Sequence, residues 1–305
     1  MKLTLSPRDL AQAVGVSESS LKRWADAGKV RVSRTVGGHR RIEIAEAVRF
    51  VREAKLRVVR PDLLGLPDAP SGLEATGPTE AIEAFTDLLL RGRADQARAL
   101  AAELYLGGAA LTEIFDGPVR HAMHHIGTIW RHSPEGICVE HRATDAAIGV
   151  VYQLRSMLPQ AGDQTGDHPD PADAPPVALG GCPSGDPYIL PSLMCSAVAA
   201  EAGFRAVNLG PETPLETLRV AVASHHARLV WLSGSVPEAW PPAPEFRAFA
   251  AELAQQGVRL IVGGQGVPHA DGALGPHAHR LDNMVDLGAL AREVLAEPPA
   301  ARQAG

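Results

Sequence analysis

Apolar residues near the start of the chain fall at helical spacing in two short runs. Ser6-Pro7 predicts a helix start, with Leu10, Ala13 and Val14 on the apolar face and Gly15 as the break. Ser17 is placed to cap a second helix, whose Leu21 and Trp24 face inward while Ser19, Ser20, Lys22 and Arg23 face outward. This pairing has helix-turn-helix spacing. A β-like piece is expected over Val30 to Ser33. Next comes Arg34-Thr35-Val36-Gly37-Gly38-His39-Arg40-Arg41-Ile42, where paired glycines allow a tight hairpin tip with arginines on both flanks. A third helix starts near Glu43 and carries Ala47, Val48, Phe50 and Val51.

Residues 57–78 hold prolines and glycines with little periodicity and read as a linker. From Thr79, an expected N-cap, apolar positions return at helical spacing around Ala81–Arg91, Ala94–Tyr105, Leu111–Arg131 and Cys138–Leu158, which suits a four-helix bundle. The polar run Ala161 to Pro171 is a second linker. Beyond it the period changes. Val177–Leu179, Ala206–Leu209, Leu229–Leu232 and Leu260–Val262 are short apolar runs separated by helical stretches, the pattern of buried parallel strands in a doubly wound sheet. The expected organisation is multidomain, α and α/β: residues 1–70, a helical segment 79–160, a linker 161–176, and a Rossmann-like domain 177–300.

Charge sharpens this division. Residues 1–60 hold 14 Lys and Arg against 6 Asp and Glu, a local excess of +8, whereas the chain as a whole carries −6. A basic head on an acidic body favours contact with phosphate through the head. No apolar run is long enough to span a bilayer and no signal peptide is visible, so a soluble cytoplasmic protein is expected. Cys138, Cys182 and Cys195 lack ligand-like spacing and are expected to be buried thiols.

In a doubly wound sheet, ligands sit outside the carboxyl ends of the strands. Four loops should meet there: Gly180 to Asp186, Leu209 to Pro214, Ser233-Gly234-Ser235 and Gly263-Gly264-Gln265-Gly266. Glycines let backbone approach a bulky ligand and hydroxyls offer it hydrogen bonds, although glycine also follows parallel strands for purely steric reasons.

The Gly37-Gly38-His39-Arg40-Arg41 wing after a helix pair resembles the winged helix-turn-helix of MerR-type regulators. The later loops resemble the cobalamin-binding domain of methionine synthase and of the CarH/LitR photoreceptor branch of those regulators. In that branch the same three modules occur in this order. Trp130, Glu140 and His141 match its Trp-x9-Glu-His bundle motif without a gap.

The resemblance implies a transcriptional repressor that is a homo-oligomer on double-stranded promoter DNA, without membrane association. Adenosylcobalamin would lie between bundle and sheet domain, and light would release the DNA. Implied cofactor contacts are Trp130, Glu140, His141, Asp186, Tyr188, Gly210, Pro211, Thr213, Ser233, Gly263, Gly264 and Gln265. Implied DNA contacts are Lys22, Arg23, Arg34, His39, Arg40 and Arg41.

Two departures bear on the cofactor. The family's cobalt-binding loop reads Asp/Glu-x-His-x-x-Gly, and the aligned run here is Asp186-Pro187-Tyr188-Ile189-Leu190-Pro191. Tyr188 replaces the cobalt-ligating histidine, and a phenol must lose a proton of pKa about 10 to bind metal well. Pro191 adds bulk where the family's glycine leaves room for the cofactor's nucleotide tail. Where some relatives carry a second histidine directly after the tryptophan, this chain has Arg131, followed by His132. Three outcomes stay open: cobalamin without a protein ligand below cobalt, another planar ligand such as haem, or no cofactor, leaving a regulator that answers to protein partners. Enzyme function is not expected, because no activated nucleophile, phosphate loop or metal triad is present.

Overall fold

The computed structural model describes residues 4–67, 77–129, 134–159, 174–270 and 272–298. The chain divides into two compact units, Met1–Gln160 and Ala161–Gly305.

In the first unit the local signals act as expected at the helix starts. The Ser6 hydroxyl accepts from the Asp9 amide and the Asp9 carboxylate accepts from the Ser6 amide, which fixes α1 (Pro7–Ala13). Ser17 caps α2 (Glu18–Asp26), where Leu21 is buried and Trp24 packs on Phe50 with centroids 5.4 Å apart. Strands β1 (Thr4–Leu5), β2 (Ser33–Arg34) and β3 (Arg40–Glu43) form an antiparallel sheet in the order β1-β3-β2, followed by α3 (Ile44–Glu53).

β2 covers Ser33–Arg34 rather than the expected Val30–Ser33. Val30 is buried, and Arg31 is drawn from strand pairing because its amide and Nε donate to Glu46 at 2.8 and 2.9 Å. Glu46, 6% exposed, also receives Arg49 Nε at 2.8 Å, and Arg49 in turn donates to the Lys29 carbonyl at 3.0 Å. One carboxylate thus ties α3 to the segment that enters the hairpin. Burial raises its pKa, but the hydrogen bonds from Arg49 and Arg31 outweigh burial and hold it below the ordinary value.

The expected linker from residue 57 is structured over residues 57–67. Val59 and Arg60 donate to the Ala13 carbonyl, a 3-10 turn spans Pro61–Leu64, and Leu64 and Leu66 are buried. α4 (Pro78–Leu90) starts after Gly77 rather than at a Thr79 cap, since Pro78 fits the first turn, where its missing N–H costs nothing. α5 (Ala94–Leu106) lies where its periodicity placed it.

The run expected as one helix over Leu111–Arg131 is α6 (Leu111–Ile114), a π turn at Phe115–Val119 and α7 (Arg120–Ile129). Pro118 removes an amide from the ladder there, and His121 Nδ1 lies 3.0 and 2.9 Å from the Asp116 and Gly117 carbonyls. α8 (Pro134–Ser156) begins before the expected Cys138. Cys138 is exposed on the outward face of α8, contrary to the expectation of three buried thiols; Cys182 and Cys195 are buried. Arg52, at the end of α3, donates to the Tyr105 and Ala109 carbonyls and lies 3.8 Å above the Tyr105 ring, so α3 is fastened to the end of α5.

The second unit is a mixed α/β domain around a parallel five-stranded sheet. β4 (Val177–Gly181), β5 (Arg205–Gly210), β6 (Ala227–Ser233) and β7 (Arg259–Gly263) contain the four expected apolar runs. β8 (Ala278–Arg280) is an additional edge strand, and the order is β5-β4-β6-β7-β8. α10 (Leu215–His225) and α11 (Ala243–Gln255) cover one face, with Leu218, Val230, Leu232, Phe246 and Phe249 in a shared core. α9 (Leu190–Ala202) and α12 (Met284–Ala296) cover the other. The strand order reverses between β4 and β6, which opens the ligand crevice of such sheets at their carboxyl ends.

Candidate functional site

The loops that follow β4, β5, β6 and β7 do meet, and they are held by their own contacts. Asp186, fully buried, accepts from the amides of Ser235 at 2.5 Å, Val236 at 3.3 Å and Tyr188 at 3.0 Å. One carboxylate therefore fastens the loop after β4 to the loop after β6 through charge-assisted bonds. Glu212, on the loop after β5, receives the Gly185 amide at 2.6 Å. Cys182 donates its thiol to the Tyr188 carbonyl at 3.2 Å, and burial together with the neighbouring Asp186 charge pushes its pKa up to about 12. That thiol is a packing group, not a nucleophile.

Of the residues expected to face a ligand, Thr213 is buried and donates its hydroxyl to the Gly210 carbonyl at 3.1 Å. That hydrogen bond closes its own loop. Ser233 is likewise buried at 4% exposure. Pro211, Gly264 and Gln265 are exposed, Gly210 is buried, and Gly263 is half-buried.

The glycines have steric explanations. A Cβ at Gly264 would stand 2.1 Å from the Gly234 carbonyl oxygen, and one at Gly181 would stand 2.7 Å from the Gly210 carbonyl oxygen. The close approach these glycines permit is of loop to loop.

Tyr188 is 50% exposed, and Pro191 sits in the first turn of α9. Beneath that turn, the Ser192 hydroxyl donates to Asn208 Oδ1 at 2.8 Å and accepts the indole N–H of Trp231 at 2.8 Å. The Trp231 ring lies against Gly180, where a Cβ would stand 2.5 Å from two of its atoms. In the sequence Trp231 reads as one more apolar strand residue; its role shows only in its pairing with Gly180 of the adjacent strand.

Together, a tyrosine for the histidine, a proline for the glycine and an indole beneath them do not fit a corrinoid held by a lower histidine with its tail inserted. Among the described residues, no group of three or more His, Cys, Asp or Glu is placed to hold a metal ion.

In the first unit, Trp130, Arg131 and His132 lie outside the described residues, as do residues 161–171. Glu140 is half-buried and His141 exposed on α8. His124 and His125 are surface residues of α7. On the hairpin, Arg34, His39 and the tip residue Val36 are exposed, and Gly38 adopts φ +76°. Arg34 pairs across the hairpin with Arg40, whose guanidinium donates to Asp26 at the end of α2 at 2.7 Å; Arg41 pairs with Ser33 and points to the opposite face. Lys22 is paired with Glu18 at 3.1 Å on the exposed side of α2, and Arg23 donates to Ser20 at 3.3 Å. No helix among the described residues is long and apolar enough to cross a membrane.

An asparagine at position 186 gives the sharpest test of the loop clamp. Asp186→Asn keeps the shape, but an amide offers one acceptor oxygen where the carboxylate offers two to three amides, so about 2 kcal/mol of domain stability is expected to be lost. Urea unfolding followed by near-UV circular dichroism measures this, and an unchanged midpoint would contradict the clamp.

No family model matches the chain, and no curated protein sequence matches it. Among solved structures, the monomethylamine corrinoid protein of Methanosarcina barkeri is similar over 72% of this chain and 100% of its own, at 16% identity and a TM-score of 0.50. The methanol:cobalamin methyltransferase complex MtaBC of M. barkeri is matched over 93% of this chain and 94% of its own, at 15% identity and a TM-score of 0.37. A cobalamin-binding protein from Desulfitobacterium hafniense DCB-2 is matched over 70% and 98%, at 15% identity and a TM-score of 0.35. The first of these shows the fold: this chain shares the architecture of that corrinoid protein.

Proposed function

We propose that the chain is a DNA-binding transcriptional regulator and not an enzyme. Its basic N-terminal segment is read as a MerR-like winged helix-turn-helix, residues 79–160 as a four-helix bundle, and the sheet domain as a sensory module of the corrinoid-protein fold. The observation that carries the proposal is the exposed hairpin between β2 and β3, with Arg34 and His39 beside an exposed tip and the outward Lys22 and Arg23 on α2, in a segment with a net charge of +8. The partner is double-stranded promoter DNA, bound by a homo-oligomer as a repressor; a hairpin flanked by arginines suits phosphate or minor-groove contact.

On this reading Arg34 and Arg41 contact DNA from the two faces of the hairpin, whereas Arg40 places the hairpin through Asp26. Replacing Arg34 or Arg41 by alanine is expected to lower the salt slope of duplex binding by about 1 each. Arg40→Ala is expected to weaken binding with a smaller slope change, and Asp26→Asn to share that effect. Salt titrations of duplex binding check both; equal slopes for the Arg34 and Arg41 variants and the unsubstituted protein would sink the assignment.

A second reading adds adenosylcobalamin as ligand and light as signal. What favours it is the adjacent pair Glu140, half-buried, and His141, exposed, on α8. A carboxylate accepts hydrogen bonds from ribose hydroxyls, as that reading requires. The haem alternative has no such support.

A further inference from the structure

We infer that Trp231 is a specificity residue of the sheet domain: it fills the space between β4, β6 and the first turn of α9 and excludes the nucleotide tail of a corrinoid. The inference rests on the fold of the second unit alone and is independent of the DNA-binding reading.

Three observations carry it. Trp231 is 2% exposed, and its ring lies so close to Gly180 that a methyl group there would overlap it. A bare Gly180 in a central strand is what an indole from the neighbouring strand needs to lie flat against the sheet. The indole N–H is not left unpaired: it donates to Ser192 at 2.8 Å, and the Ser192 proton passes on to Asn208, which also accepts the Gly210 amide at 3.2 Å. The indole N–H, the Ser192 hydroxyl and Asn208 Oδ1 all have partners, so the indole is held in place and a buried donor would be stranded if it moved.

Pro191 then caps the same space from the surface side, in the residue before Ser192. A tail entering at the start of α9 would have to displace a buried ring and break its buried hydrogen bond to Ser192. A ligand at this edge of the domain is therefore one without an inserted base: a tail-less corrinoid, a cobalamin that keeps its benzimidazole on cobalt, or none.

The test has two parts, both on the full chain. In the first, hydroxocobalamin or adenosylcobalamin is added in the dark, the protein is desalted, and its absorption is recorded. The expected result is no retained colour, or colour with the benzimidazole still on cobalt; a retained spectrum with the benzimidazole displaced would overturn the inference.

In the second, thermal midpoints of the unsubstituted protein, Trp231→Ala and Trp231→Leu are recorded with and without free 5,6-dimethylbenzimidazole. The leucine variant serves where alanine fails to fold. The small base is expected to raise the midpoint of the substituted protein by several degrees and to leave the original unmoved. A rise in the unsubstituted protein would mean that the space is open. No rise in a folded variant would mean that the indole does not occupy a tail-sized site. Either result would overturn the inference, and neither would touch the DNA-binding reading.

Discussion

Replacing Glu46 by alanine is expected to destabilise the N-terminal segment by about 3 kcal/mol, the lower end of what removing one partner of a buried ion pair costs. The lower end applies because Arg31, one of its two partners, keeps 65% of its side chain exposed and can return to water. Arg49 is more enclosed, at 28%, and would lose Glu46 while keeping Glu53 one turn on. The damage would not stay local, since the Arg31 amide and the Lys29 carbonyl are both anchored through this cluster and lead into the hairpin. On the proposed DNA-binding reading, affinity for a duplex should therefore fall as well.

The pH dependence follows from the sign of the shift. The Glu46 carboxyl in the folded protein titrates below its ordinary value, so its contribution is complete above that value, about 4.5, and is lost as pH falls through the lowered one. Glu46→Gln removes the titrating group, and stability of the variant should be flatter across this acid window. Urea midpoints of the two proteins between pH 3 and pH 7 provide the comparison. Parallel curves would show that the carboxylate is not the anchor.

A methyl group at Gly180 is expected to have an effect of similar size in the other unit. Its Cβ would stand 2.1 Å from the Trp231 carbonyl oxygen and 2.5 Å from the indole, and a backbone oxygen in a central strand cannot move aside. Overpacking of a tight core costs about 1–3 kcal/mol, and more where backbone must shift. Gly180→Ala is therefore expected to lose at least about 3 kcal/mol. Hydrogen exchange at the β4 and β6 amides reads this directly, because those strands belong to the core of the domain. Protection equal to that of the unsubstituted protein would contradict the packing described for Trp231.

Helix starts and parallel strands were legible because they depend on neighbours in sequence. Ser6 with Asp9, Ser17 with Ser20, and the apolar runs that became β4 to β7 needed only local chemistry and burial on both faces. Some misses are local, as at Pro78 and Pro118, and others have long-range causes. β2 moved because Glu46, fifteen residues away, claimed the Arg31 amide. β8 has three residues and no apolar run, and it exists only because β7 offers an edge. At the candidate site, Asp186 stood out by motif, yet its observed work is to bind loop amides contributed by Ser235 and Val236, which no local pattern reveals. Gly181 and Gly264 let the chain come against Gly210 and Gly234, contacts that no local pattern reveals, and Trp231, which lies against Gly180, reads in sequence as ordinary core.

The measurement that tests the central claim most directly is the affinity of the full chain for a fluorescent promoter duplex across a range of salt concentrations. The account predicts binding whose logarithm falls linearly with the logarithm of salt, with a slope that drops when Arg34 and Arg41 are both replaced by alanine. A chain that binds no duplex at low salt, or binds with a slope that those replacements leave unchanged, would contradict it.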